Sequence, residues 1–174
     1  AMAQDAQQTT HPVVQPVRNL EEANAAFDGI TYSKGLSVIT MLEAYLGEED
    51  FRTGVRAYMQ NHQYGNTVTS DLWQALAQAS GRPVEAIAND FTHQIGVPLV
   101  EAISAECQQG NTTLTLRQSR FGLDDFSKQP QSWTVPVTAQ VVGSAPARAE
   151  IRGADLQKMT LPGCGAVVVN AGQA

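Results

Sequence analysis

Apolar residues in this chain follow two different periods, and the change falls near Pro98. Before it they recur at steps of three and four. After it they alternate with polar residues or form short blocks bounded by Gly, Pro and Asn. The opening "TTHPVVQPV" carries two prolines and reads as extended. "NLEEANAAFD" follows as a short helix, with Asn19 as N-cap and Glu21 and Glu22 in the first turn, where acidic groups suit the helix dipole. The next helix presents Leu36, Ile39, Leu42 and Leu46 as its stripe and stops at Gly47. "EEDFRTGVRAYMQNH" places Phe51, Val55, Tyr58, Met59 and His62 on one side. "TSDLWQALAQASG" reads as a helix capped by Ser70 or Thr69, with Leu72, Leu76 and Ala79 facing inward and Gly81 as stop. "PVEAIANDFTHQIG" opens with Pro83 and lines up Val84, Ile87, Ala88, Phe91 and Ile95 before Gly96 and Pro98 end it.

From Leu99 onward the period is that of strands. "LVEAISAEC", "TTLTLRQSRF", "WTVPVTAQVV", "ARAEIRG", "LQKMTLP" and "GAVVVN" are separated by turn-forming residues. Pro136 has no N–H for a ladder, so it predicts an edge position or a bulge within "WTVPVT". The expected fold is therefore α+β: an antiparallel helical subdomain over 1–97, then a small antiparallel β-sandwich over 98–174. The start "AMAQDAQQ" and the end "AVVVNAGQA" both read as cut, with the sandwich stopping short.

Composition narrows the function classes. The chain has 174 residues and is 43% hydrophobic, enough for real cores. Eleven basic residues against seventeen acidic ones leave a net charge of -6, with no basic cluster. Nucleic acid would meet repulsion and no groups to pair its phosphates, which excludes it as a partner. No apolar run reaches the roughly 20 residues of a membrane span. Two cysteines, Cys107 and Cys164, do not make a disulfide framework. They could pair if the fold joins them, but two buried free thiols are the favoured reading.

Candidate chemistry is sparse. No two of His11, His62 and His93 share the i, i+4 spacing of a helical metal site, and there is no Cys-x-x-Cys. His62 and His93 read as helix-end residues rather than ligands. No Gly-x-Ser-x-Gly elbow and no phosphate-binding Gly loop occur. What remains is "FDGITYSKG": Tyr32 and Gly35 sit at the mouth of a helix that needs neither, and Gly costs about 1 kcal/mol there relative to Ala. Taken alone, such a tyrosine is a structural ring with its hydroxyl at the rim.

The stretch from Phe27 to Leu76 closely resembles the M1 family of zinc aminopeptidases, the group of aminopeptidase N and puromycin-sensitive aminopeptidase. "DAQQTTHPV" is similar to that family's Asp-Ala-x-x-Ser-Ser-His-Pro stretch, and "SGRPVEAIANDFTHQIGVPLV", "QSRF" and "WTVPVT" follow in the family's order. The helical part of the resemblance is the more specific. The family's zinc ligands, a His-Glu-x-x-His helix plus a later Glu, are not in this sequence, nor is its Gly-x-Met-Glu-Asn loop. The resemblance therefore implies the end of a thermolysin-like catalytic domain followed by the sandwich. It implies zinc in the parent protein and none in this chain, no metal-ligating or cofactor-binding residue here, peptides as the parent's substrates, and the rest of the same polypeptide as partner. It also implies a role for Tyr32: its hydroxyl donates to the oxyanion formed when zinc-activated water attacks the peptide carbonyl. Gly35 would leave room for close approach. The isolated chain is then expected to bind no zinc and cleave nothing. The competing reading is a non-catalytic helical-plus-sandwich interaction module.

Overall fold

The computed structural model describes residues 2–172. Residues 1, 173 and 174, at the outer limits of the two expected domains, lie outside the described residues. In order the chain forms α1 (Met2–Asp5), α2 (Leu20–Ala25), a π-helical turn (Ile30–Lys34) running into α3 (Gly35–Leu46), α4 (Glu48–His62), α5 (Thr69–Ser80) and α6 (Val84–Thr92). Six strands follow: β1 (Val97–Gln108), β2 (Asn111–Phe121), β3 (Thr134–Val141), β4 (Ala147–Arg152), β5 (Gln157–Pro162) and β6 (Val167–Val169). The architecture is α+β, with every paired strand antiparallel. Among the described residues two compact units form: residues 11–95, and residues 2–10 together with 96–172.

In the helical unit, local chemistry decides the ends. Asn19 Oδ1 accepts the Glu22 N–H at 2.8 Å, and Glu22 Oε2 accepts the Arg18 N–H at 2.8 Å, so α2 begins where its capping residues stand. Gly47 and Gly81 end α3 and α5 at φ +89° and +67°. The α5 cap differs from expectation. The helix starts at Thr69, Val68 is the cap residue, and the Asp71 carboxylate takes the Val68 N–H at 2.9 Å. The side-chain contact at this end comes from a carboxylate in the first turn, on the N–H of the cap residue, and not from a hydroxyl at Thr69 or Ser70.

The buried faces match the expected stripes only in part. On α6, Val84, Ile87, Ala88 and Phe91 are buried as expected. On α3 the buried residues are Val38, Leu42, Tyr45 and Leu46, while Leu36 is 68% exposed. This helix is apolar nearly all round, so spacing alone leaves its orientation open. On α5, Trp73 and Ala75 are buried beside Leu76, and the expected Leu72 and Ala79 are only partly covered. On α4 the one buried residue is Gly54. A Cβ there would stand 2.9 Å from the Leu76 Cα, so α4 and α5 meet at bare backbone. Arg82 lies 4.7 Å over the Tyr45 ring and donates to the Tyr45 carbonyl at 2.7 Å, fastening the α5–α6 link to the end of α3.

The strand unit is a sandwich of two three-stranded sheets, ordered β1–β2–β5 and β4–β3–β6. Leu114 and Leu116 of β2, Met159 and Leu161 of β5, and Val135, Val137, Ala139 and Val141 of β3 are buried at alternate positions. Gln118 is buried with them and bridges the layers. Its Nε2 donates to the Trp133 carbonyl at 2.7 Å, and its Oε1 accepts the Trp133 N–H at 2.9 Å. The "QSRF" and "WTVPVT" stretches are thus joined by one side chain. Pro136 lies on the middle strand, not on an edge, and its pairing to Glu150 continues without a bulge. The reason it is tolerated is local: β6 pairs only with Ala139 to Val141, so at Pro136 the strand has one neighbour. The register shift occurs instead in β1, between Ala102 and Ser104.

Cys107 and Cys164 form a disulfide with their Cα atoms 5.5 Å apart. Both are exposed, which corrects the expectation of two buried free thiols. The turn after β1 and the loop after β5 are already held together, by Gly163 N–H on the Gly110 carbonyl at 3.0 Å and Thr112 Oγ1 on the Gly163 carbonyl at 2.8 Å. Residues 2–10 belong to this unit: the buried Asp5 Oδ1 accepts the Gly96 N–H at 2.8 Å.

Candidate functional site

Tyr32 sits in the π-helical turn, a rare arrangement found frequently at functional sites. The turn is organised from its N-terminal side by Asp28. Asp28 Oδ1 accepts the Thr31 N–H at 2.9 Å, and the Asp28 carbonyl accepts the Tyr32 N–H at 3.1 Å. Asp28 Oδ2 lies 2.7 Å from His11 Nε2, and His11 Nδ1 lies 2.9 Å from the Pro12 carbonyl. The Thr31 N–H first, and then the His11 imidazole, hold the Asp28 carboxyl below the ordinary carboxylate range, against the opposite pull of partial burial.

From the other side the turn is fixed by Lys34. Its side chain is buried and Nζ donates to the Gln94 carbonyl at 3.0 Å, just past the end of α6, where a cation suits the helix dipole. Ile30 is buried to 1% exposure. Within this anchored turn Tyr32 itself is 62% exposed, and no hydrogen bond to its hydroxyl forms among the described residues. Phe27, 69% exposed, stands with its ring 6.2 Å from that of Tyr32. A groove of about 320 Å³ opens beside His11, lined by Gln15, Pro16, Arg18, Glu22 and Ala25.

Gly35 is helical at φ -55°, and nothing among the described residues lies within 4 Å of a Cβ built there, so the space beside it is open. His62 and His93 both stand at helix ends, His62 as the last residue of α4 and His93 at the C-cap of α6. Among the described residues no group of three or more His, Cys, Asp or Glu is placed to hold a metal ion. The residues present do not fit zinc. His11 and Asp28 were not singled out from the sequence as partners. Asp28 stands three residues before Thr31, the spacing of a capping carboxylate, and that signal was available. Its pairing with His11, 17 positions away, was not.

A sequence profile of the Peptidase family M1 domain matches residues 1–91, just over half of the chain. The chain belongs to this family. It is 39% identical over 153 residues to the puromycin-sensitive aminopeptidase of Caenorhabditis elegans, covering 87% of this chain and 16% of that protein. It is 43% identical over 134 residues to aminopeptidase M1 of Arabidopsis thaliana, covering 77% of this chain and 15% of that protein. To the mitochondrial aminopeptidase 2 of Saccharomyces cerevisiae it is 40% identical over 121 residues, which is 70% of this chain and 12% of that protein. The chain thus spans less than a fifth of the length of these relatives.

Proposed function

We propose that this chain is the segment of a zinc aminopeptidase that follows the zinc site, and that Tyr32 is its contribution to catalysis. The whole enzyme would remove N-terminal residues from peptides, with zinc held by the rest of the polypeptide. The observation that carries the reading is the exposed Tyr32 hydroxyl on a turn pinned by Asp28, Ile30 and Lys34. Such a phenol can donate a hydrogen bond to negative charge developing on a carbonyl oxygen, and its rigid mount means little reorganisation at the moment of reaction. Family membership and the names of the relatives support the reaction class.

The test is Tyr32→Phe in the full-length enzyme. The ring stays, so folding should survive, and only the hydroxyl goes. A donor used mainly in the transition state predicts a fall in kcat on the order of 100-fold with KM little changed. A purely structural tyrosine predicts a lower melting temperature with near-normal turnover, and that result would sink the assignment. The isolated chain is proposed to bind no zinc and to cleave no amino-acid amide. Metal analysis of the purified chain together with a chromogenic amide assay checks this, and stoichiometric zinc with hydrolysis would refute it.

A further inference from the structure

We propose that Asp28 and His11 are positioning residues for the Tyr32 hydroxyl. The inference rests on the catalytic reading of Tyr32 given above. Asp28 is the group that holds the first amides of the π-helical turn: its side chain takes the Thr31 N–H and its carbonyl takes the Tyr32 N–H. Those two contacts set where the Tyr32 backbone stands, and so where an otherwise unrestrained phenol points. The second carboxylate oxygen is held by His11 at 2.7 Å.

His11 is itself fixed on both sides. The Pro12 carbonyl at Nδ1 accepts only, and the Asp28 carboxylate at Nε2 accepts only. Held between these two acceptors, the ring ties the segment at Pro12 to the turn. Neither residue needs to touch substrate. Both act through the angle of a side chain whose hydroxyl must meet an oxygen to within a few tenths of an ångström.

The experiment is a double-mutant comparison in the full-length enzyme. Asp28→Asn keeps an oxygen for the Thr31 N–H and disturbs the His11 side. Asp28→Ala and His11→Ala remove the contacts outright, and any variant that melts early is read only through Asp28→Asn. Each is made with Tyr32 intact and with Tyr32→Phe, and kcat and KM are measured for folded, zinc-loaded protein. With Tyr32 intact, kcat is expected to fall on the order of 10-fold with KM within about twofold. In the Tyr32→Phe background the same changes are expected to cost almost nothing further, because the group they aim is gone. Equal losses in both backgrounds overturn the positioning role and leave Tyr32 standing. Near-normal kcat for Tyr32→Phe alone overturns the catalytic reading and the positioning role with it.

A separate observation carries a second inference. From the Cys107–Cys164 bond we infer that the protein folds in an oxidising compartment. The two cysteines are 57 positions apart, exposed, and bracketed by the hydrogen bonds that already join the two loops. Such bonds form and persist in oxidising compartments and are rare in a reducing cytosol. The test is thiol blocking with N-ethylmaleimide in intact cells of the source organism, followed by mass spectrometry of unreduced peptides. A Cys107–Cys164 linked peptide as the major species supports the inference. Alkylated Cys107 and Cys164 as the major species overturn it.

Discussion

Asp28 is the residue on which the candidate site turns, and its electrostatics give a pH prediction with a definite sign. Its carboxyl titrates below the ordinary range in the folded protein because the Thr31 N–H and His11 favour the charged form. A lowered folded value means that this stability is present above the unfolded pKa of about 4 and is lost as pH falls through the lower folded value. Unfolding by denaturant at a series of pH values should therefore show the helical unit weakening below about pH 4. Asp28→Asn should be less stable than the parent sequence at neutral pH and should show a smaller loss over the acid window. Equal acid sensitivity in the two proteins would mean that Asp28 is not the group responsible. At the same scale Lys34 shows why a motif residue need not be a site residue. It belongs to the Tyr-x-Lys-Gly step, yet it is buried against the end of α6.

Between elements, two glycines that look alike in sequence carry opposite expectations. Gly35 is helical with open space where a Cβ would go, so Gly35→Ala should stabilise the helical unit by about 0.5–1 kcal/mol, through lower chain entropy when unfolded. Gly54 is also helical, but its Cβ would meet Leu76 backbone at 2.9 Å and the Ala75 carbonyl at 3.1 Å. Gly54→Ala must push α4 from α5, and a loss of about 1–3 kcal/mol is expected from such overpacking. Thermal unfolding of both variants checks the pair, and the same sign for both would show that the α4–α5 approach is wrong. The existence and order of α2 to α6 and most of their ends were legible, because caps, glycine stops and proline are local chemistry, whereas α1 at Met2–Asp5 was not expected. The direction each helix faces was legible on α6, whose stripe is narrow, and not on α3, where apolar residues surround the axis. The π-helical turn under Tyr32 had no signal in spacing.

Across the whole molecule, the Cys107–Cys164 bond joins the end of the sandwich's first strand to the loop before its last. The shortest strand, β6, has three residues and pairs with only three positions of β3. It follows directly after the loop that holds Cys164. Closing a loop of this length removes about 4 kcal/mol of unfolded-chain entropy on the chain-entropy model. Replacing both cysteines with serine should therefore lower stability by about 2–4 kcal/mol, and reductant should do the same to the unchanged protein. Denaturant unfolding with and without reductant measures this, and identical curves would show that the bond contributes nothing.

Periodicity and turn chemistry by themselves determined that helices precede an antiparallel sheet, and the residue types of "FDGITYSKG" carried the resemblance to M1 peptidases, because each of these is written in neighbouring residues. Only the tertiary structure decided that His11 meets Asp28, that Gln118 joins "QSRF" to "WTVPVT", that Cys107 pairs with Cys164, and that Leu36 is left outside while Val38 is buried. Each of those is a choice among partners distant in sequence. Such choices are made by which faces find shape and hydrogen-bond complements when the core closes, a property of the packed whole that no local pattern contains.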